Sequence, residues 1–267
     1  MISEKNYLQI NKESWNKRAE IHYDSDFYDN KSFLEGRNSL NSIELKLFPE
    51  LKGKSVLHLQ CHFGQDTISL SRMGAEAVGV DLSDTSIDLA NKLAKETSSS
   101  TKFICCDIYD LPNHLDQQFD VVFTSYGTIG WLPDIDKWAA IVSKYLKPGG
   151  KFVFAEFHPV VWMFDDDFKE IKYRYFKDNA IIDESEGTYT ENSGDTSQDY
   201  VSWNHGLAEV VTALIKSGLE IKKLQEYDYS PYNCFSHTEE FEKNKFRIKH
   251  LKNSLPMVYS IVAEKRI

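Results

Sequence analysis

Apolar positions along this chain change rhythm three times. From Tyr7 to Tyr23, and again from Phe33 to Phe48, they recur at mixed three- and four-residue spacings among charges, which predicts two amphipathic helices. At Ser55 to Gln60 the rhythm becomes a short apolar run, Ser-Val-Leu-His-Leu-Gln, and predicts a strand, with a helix behind it over Asp66 to Met73. Strand and helix then alternate. Strands are expected at Ala77 to Asp81, Lys102 to Asp107, Phe119 to Ser125 and Gly150 to Glu156, with helices at Asp84 to Lys95 and Asp134 to Tyr145. Nearly continuous apolar strands at this spacing imply a parallel sheet covered on both faces, a doubly wound α/β fold. From Pro159 to about Trp203 the alternation stops. Lys172 to Phe176 and Thr188 to Thr190 suit a hairpin there, and Glu191 to Gln198 reads as loop. A helix over His205 to Ser217, ended by Gly218, and strands at Leu219 to Tyr229 and Met257 to Ala263 close the chain. The expected organisation is an N-terminal helical cap (1–50), a ligand-binding core (51–158), an insertion (159–204) and a return to the core (205–267).

Composition narrows the functional classes. The 267 residues are 41% apolar and 13% aromatic, and no stretch approaches the eighteen apolar residues of a spanning helix. Thirty-one Lys and Arg against 41 Asp and Glu leave a net charge of -10, so the chain as a whole lacks the electrostatic footprint of a nucleic-acid binder. Residues 165–199 carry eleven acidic and four basic side chains, about -7 of that charge. The first residues lack the basic-then-apolar order of a secretory signal, and a cytoplasmic location is expected. Cys61, Cys105, Cys106 and Cys234 show no C-x-x-C spacing and are expected to be reduced.

In an open parallel sheet, ligands bind beyond the carboxyl ends of the strands, where the winding reverses. After the first strand that place is Gln60-Cys-His-Phe-Gly64. The second strand ends in Asp81, whose carboxylate is placed to accept from both hydroxyls of a ribose, and the third in Asp107, followed by Ile108, at the depth of an adenine. A dinucleotide would want G-x-G-x-x-G after the first strand, and Gly64 is the only glycine in that loop. Tyr173 and Lys177 have the Y-x-x-x-K spacing of short-chain dehydrogenases but lie in the acidic insertion. A zinc site at His58, Cys61 and His62 is set aside because the three side chains leave a strand and its turn in different directions.

Together these segments resemble the class I S-adenosylmethionine-dependent methyltransferases. Val56-Leu-His-Leu-Gln-Cys-His-Phe-Gly64 is similar to the family's first motif, Gly79-Val-Asp-Leu-Ser83 to its second, Cys106-Asp-Ile108 to its third and Phe119 to Ser125 to its fourth, followed by Leu146-Lys-Pro-Gly-Gly-Lys-Phe152. The resemblance covers about residues 52–158, with Leu207 to Tyr229 and Met257 to Ala263 similar to the family's last helix and antiparallel final strands. It implies a Rossmann-like, seven-stranded, mostly parallel sheet with an antiparallel last strand. It also implies S-adenosylmethionine as cofactor, held by Gln60, Cys61, His62, Gly64, Asp81, Leu82, Asp107, Ile108 and Ser125. His58, Gln60 and His62 stand where the family has an acid and two glycines, so side chains project where the loop is ordinarily bare. Ser14 to Ala19 with His22 and Tyr23 resembles the helix that closes over the cofactor in small-molecule members, with Arg18 toward the cofactor carboxylate and Trp15 or Tyr23 toward the sulfonium. Ser125-Tyr-Gly-Thr-Ile-Gly-Trp131 lacks the signatures of base methylation, and Ser230-Pro-Tyr-Asn233 is expected on a late strand away from the cofactor edge.

The implied activity is in-line methyl transfer to a small-molecule acceptor lying over Tyr126, Trp131, Glu156 and His158. His158 and Tyr126 are the catalytic candidates, with His158 as the base because its ordinary pKa lies near neutrality. No metal, nucleic acid or membrane partner is expected, and the chain is expected to be a monomer or homodimer. The competing reading is a noncatalytic nucleoside-binding or regulatory protein on the same fold.

Overall fold

The computed structural model describes residues 4–191 and 197–266. Helix α1 (Tyr7–Tyr23) opens the chain and is followed by two short helices, α2 (Asn30–Leu34) and α3 (Ser42–Leu45). The single helix expected over 33–48 is therefore broken. Gly36 takes a φ of 110°, and Asn41 restarts the chain with a reciprocal cap in which its backbone N–H donates to Glu44 Oε1 at 2.7 Å.

The core then alternates as expected: β1 (Ser55–Leu59), α4 (Gln65–Arg72), β2 (Glu76–Asp81), α5 (Asp84–Glu96), β3 (Lys102–Cys105), β4 (Phe119–Ser125), α6 (Ile135–Tyr145) and β5 (Leu146–Phe157). Beyond β5 come β6 (Ile181–Glu186), β7 (Ser197–Ser202), α7 (Leu207–Lys216), β8 (Leu219–Tyr227), β9 (Thr238–Glu242), β10 (Lys245–Ile248) and β11 (Val258–Lys265). The main sheet has seven strands in the order β3-β2-β1-β4-β5-β11-β8. The last strand, β11, runs antiparallel to both of its neighbours, β5 and β8. Winding reverses between β1 and β4, so the chain leaves their carboxyl ends in opposite directions and opens a crevice there.

Period-two alternation explains the two covered faces. Leu57, Val122, Phe152 and Phe154 pack on one side with Trp138, Val142 and Leu214 of α6 and α7, while Val56, Val121, Phe123 and Val153 pack on the other with Ile43 and Leu70. The hairpin of the insertion falls elsewhere than its β-forming residues suggest. β6 pairs with β7, and Lys172 and Tyr173 instead turn back to donate to Met163 O. Tertiary pairing decides this: the Asn11 side chain on α1 accepts from Val201 N at 2.9 Å and donates to Val201 O at 2.8 Å, fixing β7 against the first helix. Residues 192–196, most of the stretch read as loop, lie outside the described residues, and 197–198 begin β7.

Candidate functional site

Two cavities open beyond the carboxyl edge of the sheet. The first, about 680 Å³, lies over β1, β2 and the segment after β3; the second, about 840 Å³, lies over β4 and β5 under the insertion. Trp15, Tyr126, Gly127, Trp131, Tyr189 and Tyr232 line both. These six residues form a common wall between the two cavities.

The first cavity collects most of the residues singled out in the sequence: Trp15, Gln60, Cys61, His62, Gly64, Asp81, Leu82, Asp107, Ile108 and Ser125 all line it. Its floor is the β1–α4 loop, which keeps the left-handed backbone that glycines ordinarily supply even though two of its residues carry side chains. Gln60 has φ 56°, His62 φ 51° and Gly64 φ 81°. Each non-glycine residue there costs about 1–2 kcal/mol, and tertiary hydrogen bonds offset it. Gln60 Nε2 donates to Thr128 O at 2.8 Å, and the His62 ring lies 3.1 Å from Ser86 Oγ and 2.9 Å from Nδ1 of His22. Gly64 has no such freedom, since a Cβ there would stand 2.5 Å from the Phe103 ring. Gly64→Ala is expected to cost roughly 2–4 kcal/mol, from the φ and the overlap together. At roughly 2–4 °C per kcal/mol, thermal unfolding should show a melting temperature lower by about 4–16 °C.

Asp81 ends β2 with one oxygen on each of two backbone donors, His62 N at 2.8 Å and Ser83 N at 2.9 Å. Burial raises its carboxyl to about 6, partly offset by those N–H groups. A lone pair remains on each oxygen for a vicinal diol. Asp107 caps the turn that begins at Ile108, accepting from Tyr109 N at 3.3 Å, and burial raises its carboxyl as well. Gln60 Oε1 is buried without a hydrogen-bond partner among the described residues. Arg37, which the sequence reading did not single out, is the one Lys or Arg among the described residues lining this cavity, fixed by Ser32 Oγ at 2.9 Å and by the Tyr28 carbonyl. A diol acceptor, an orphaned carbonyl oxygen and a guanidinium in one cavity match a nucleoside bearing an amino acid, and so they fit S-adenosylmethionine.

A model of the family described as "Methyltransferase domain" matches residues 56–150, which are β1 through the start of β5. Residues 56–150 of this chain are thus similar to methyltransferase domains. The chain is 29% identical over 157 residues to a protein of Coxiella burnetii named ubiquinone biosynthesis O-methyltransferase. That match covers 58% of this chain and 64% of the relative, so the chain spans less than two thirds of the length of the curated relative. Among solved structures, an S-adenosylmethionine-dependent methyltransferase from Mesorhizobium loti superposes with a TM-score of 0.58 at 20% identity, covering 87% of this chain and all (100%) of that one. A second, from Clostridium acetobutylicum, gives 0.56 at 15% identity over 92% and 95%. Both share the fold.

Around this core, several expected residues sit elsewhere than foreseen. Arg18 lines the second cavity and not the first, its guanidinium 5.7 Å from the Trp15 ring centre and 5.9 Å from that of Trp131. Tyr23 packs on Phe63. The Cys61 thiol is buried and would lie 2.8 Å from a Cβ at Gly79, so this residue faces the cavity with its backbone. His58 takes the family acid's place as a buried imidazole 2.8 Å from Thr67 Oγ1, kept neutral because burial lowers its pKa to about 3. His158 lines neither cavity: Nε2 lies 3.0 Å from Glu226 Oε1, and Nδ1 accepts from Val160 N at 3.2 Å, so both ring nitrogens are committed. Glu156 is committed too, accepting from Gly127, Thr128 and Ile129 backbone N–H groups, and thereby shapes the 126–131 loop. Ser230 to Asn233 form a loop after β8 that reaches the cavities through Tyr232, 5.4 Å from the Tyr126 ring, contrary to the expectation of a strand away from the cofactor edge.

Tyr126 is on the common wall, and its hydroxyl donates to Glu44 Oε2 at 2.7 Å. Glu44 is fully buried. Burial, with Asp66 nearby, lifts its carboxyl to about 7, while Tyr126 is pushed well above its ordinary value. The Asn41-x-x-Glu44 capping pattern is the sequence signal that could have drawn attention to Glu44.

Proposed function

We propose that this chain methylates a hydroxyl of a small-molecule acceptor, with S-adenosylmethionine in the first cavity and the acceptor in the second. The observation that carries the reading is the common wall of Trp15, Tyr126, Gly127, Trp131, Tyr189 and Tyr232 between two cavities, one of which is furnished for a nucleoside amino acid. The name of the Coxiella burnetii relative supports oxygen as the atom methylated.

When bound, the cofactor supplies an electrophilic methyl group. Asp81 takes the ribose hydroxyls, Asp107 faces the adenine edge, Arg37 the carboxylate and Gln60 Oε1 the ammonium. Trp15, Trp131 and the tyrosines of the wall exclude water and align the acceptor oxygen. For its proton, His22 and His62 are poor acceptors, because burial, their mutual proximity and Arg18 lower His22 to about 2, and burial with Arg18 lowers His62 to about 3. The pair Tyr126–Glu44 serves instead: the acceptor proton passes to Tyr126 Oη as the tyrosine proton passes to Glu44 Oε2, and the acceptor oxygen becomes the methyl ether. Residues 159–204 act as a lid over the second cavity.

This relay needs ionised Glu44. Transfer rate should therefore rise with pH through about 7, and Glu44→Gln should remove that limb of the profile, lower turnover by about 10²–10⁴-fold and leave cofactor affinity within a few-fold. Retention of the same limb in Glu44→Gln would rule the relay out. Incubation with S-adenosylmethionine carrying a labelled methyl and a panel of small phenols and alcohols tests the function itself. Label should appear in an organic-extractable ether. Tight cofactor binding with no label transferred to any acceptor would favour the noncatalytic nucleoside-binding reading.

A further inference from the structure

The second cavity contains three buried polar groups that the fold leaves unpaired. Among the described residues Tyr259 Oη, Asn204 Oδ1 and Trp203 Nε1 have no hydrogen-bond partner, and the three residues are 0%, 5% and 2% exposed. All three line that cavity. Leaving such groups unpaired is unfavourable, so three in one cavity is an arrangement that something bound there relieves.

Their chemistry is specific. The orientation of the Asn204 amide is fixed, because Nδ2 donates at 3.0 Å to the carbonyls of both Pro159 and Arg174, which leaves Oδ1 purely an acceptor. Tyr259 offers a hydroxyl from β11, its ring 5.6 Å from Phe154, and Trp203 offers an N–H from the end of β7. Complementing them takes a group that both donates and accepts: a hydroxyl or a carboxamide. A carboxylate cannot donate to Asn204, and Glu156, Asp165, Asp166, Asp183 and Glu184 line the same cavity. The cavity's cations are elsewhere, with Arg18 between Trp15 and Trp131 at the common wall, and Lys172 3.2 Å from Asp183. Trp162, Phe164, Tyr173, Tyr200 and Phe235 supply aromatic walls suited to a flat ring.

We propose that Tyr259, Asn204 and Trp203 form a subsite for an uncharged hydroxyl or carboxamide on the acceptor, distal to the atom that is methylated. This rests on the reading of the second cavity as the acceptor site. It makes the acceptor a two-ended ring compound: a nucleophilic oxygen at the common wall, and a neutral donor–acceptor group held by the three side chains.

The test uses the full chain with S-adenosylhomocysteine present and three probes that share a phenol: 4-hydroxybenzamide, 4-hydroxybenzoate and 4-methylphenol. Calorimetry should show the benzamide binding about tenfold or more tighter than either of the others. Tyr259→Phe should weaken the benzamide at least about fivefold and leave 4-methylphenol within about twofold. Equal or tighter binding of the benzoate or the methylphenol, an unchanged benzamide affinity in Tyr259→Phe, or no benzamide binding at millimolar concentration would overturn the subsite. A second readout needs no ligand. Since the Tyr259 hydroxyl lacks a protein partner, the free Tyr259→Phe protein should melt no lower than wild type, and a fall of several degrees would show that the hydroxyl is already paired and end the proposal. Failure of S-adenosylhomocysteine to bind would instead count against the methyltransferase reading, and the melting comparison would still decide the subsite.

Discussion

Replacing residues 165–199 by a short Gly/Ser linker is expected to cut methyl transfer by at least about 10²-fold while cofactor affinity stays within a few-fold. The excised stretch covers the second cavity with Tyr173, Thr188 and Tyr189 and contributes little to the first beyond Tyr189. It is held down by polar contacts that the linker would remove: Thr188 Oγ1 lies 2.5 Å from His22 Nε2, and the Tyr28 and Tyr189 hydroxyls lie 2.5 Å apart. The Asn11 bonds to Val201 lie outside the excision and should keep α1 in place. Turnover and cofactor titration on the same folded variant check this. Normal turnover would show that residues 159–204 are not a lid.

Asp81→Ala should weaken S-adenosylmethionine by about 1–3 kcal/mol, roughly 5- to 150-fold, because buried ribose hydroxyls would lose their acceptor. The same carboxylate predicts a pH dependence. Burial raises its pKa to about 6, and the hydroxyls bind the ionised form, so affinity should be level above pH 7 and fall as pH drops through 6. In Asp81→Ala that fall should vanish. His22 and His62 stay neutral throughout this range and do not contribute to it. Asp107→Ala should weaken adenosine compounds as well, and unchanged affinity there would misplace the adenine.

Most of the fold was legible because its strands are buried on both faces, and an apolar run between helices has few other homes. The first cavity was legible for the same reason: ligand-facing residues of such a sheet fall at strand ends, where Asp81, Asp107 and Ser125 stand. What escaped depends on contacts distant in sequence. The hairpin β6–β7 is selected by the amide of Asn11, 190 positions away, and no local propensity could select it over Lys172 to Phe176. Glu44 and Arg37 sit in a stretch whose period reads as one helix, although Gly36 and the Asn41 cap mark its break. His158 shows the converse: its position at a strand end suggested chemistry, but Glu226 on β8 occupies its ring. Tyr232 reaches the common wall from Ser230-Pro-Tyr-Asn233, a segment expected on a strand away from that edge.

The central claim is that donor and acceptor occupy adjoining cavities joined at one wall. A crystal structure of the chain grown with S-adenosylhomocysteine tests it most directly. Density should place the ribose against Asp81, the adenine beside Asp107 and Ile108, and the thioether sulfur at the wall formed by Tyr126, Trp131 and Trp15. The product bound anywhere else, or absent from crystals grown at millimolar concentration, would contradict the account.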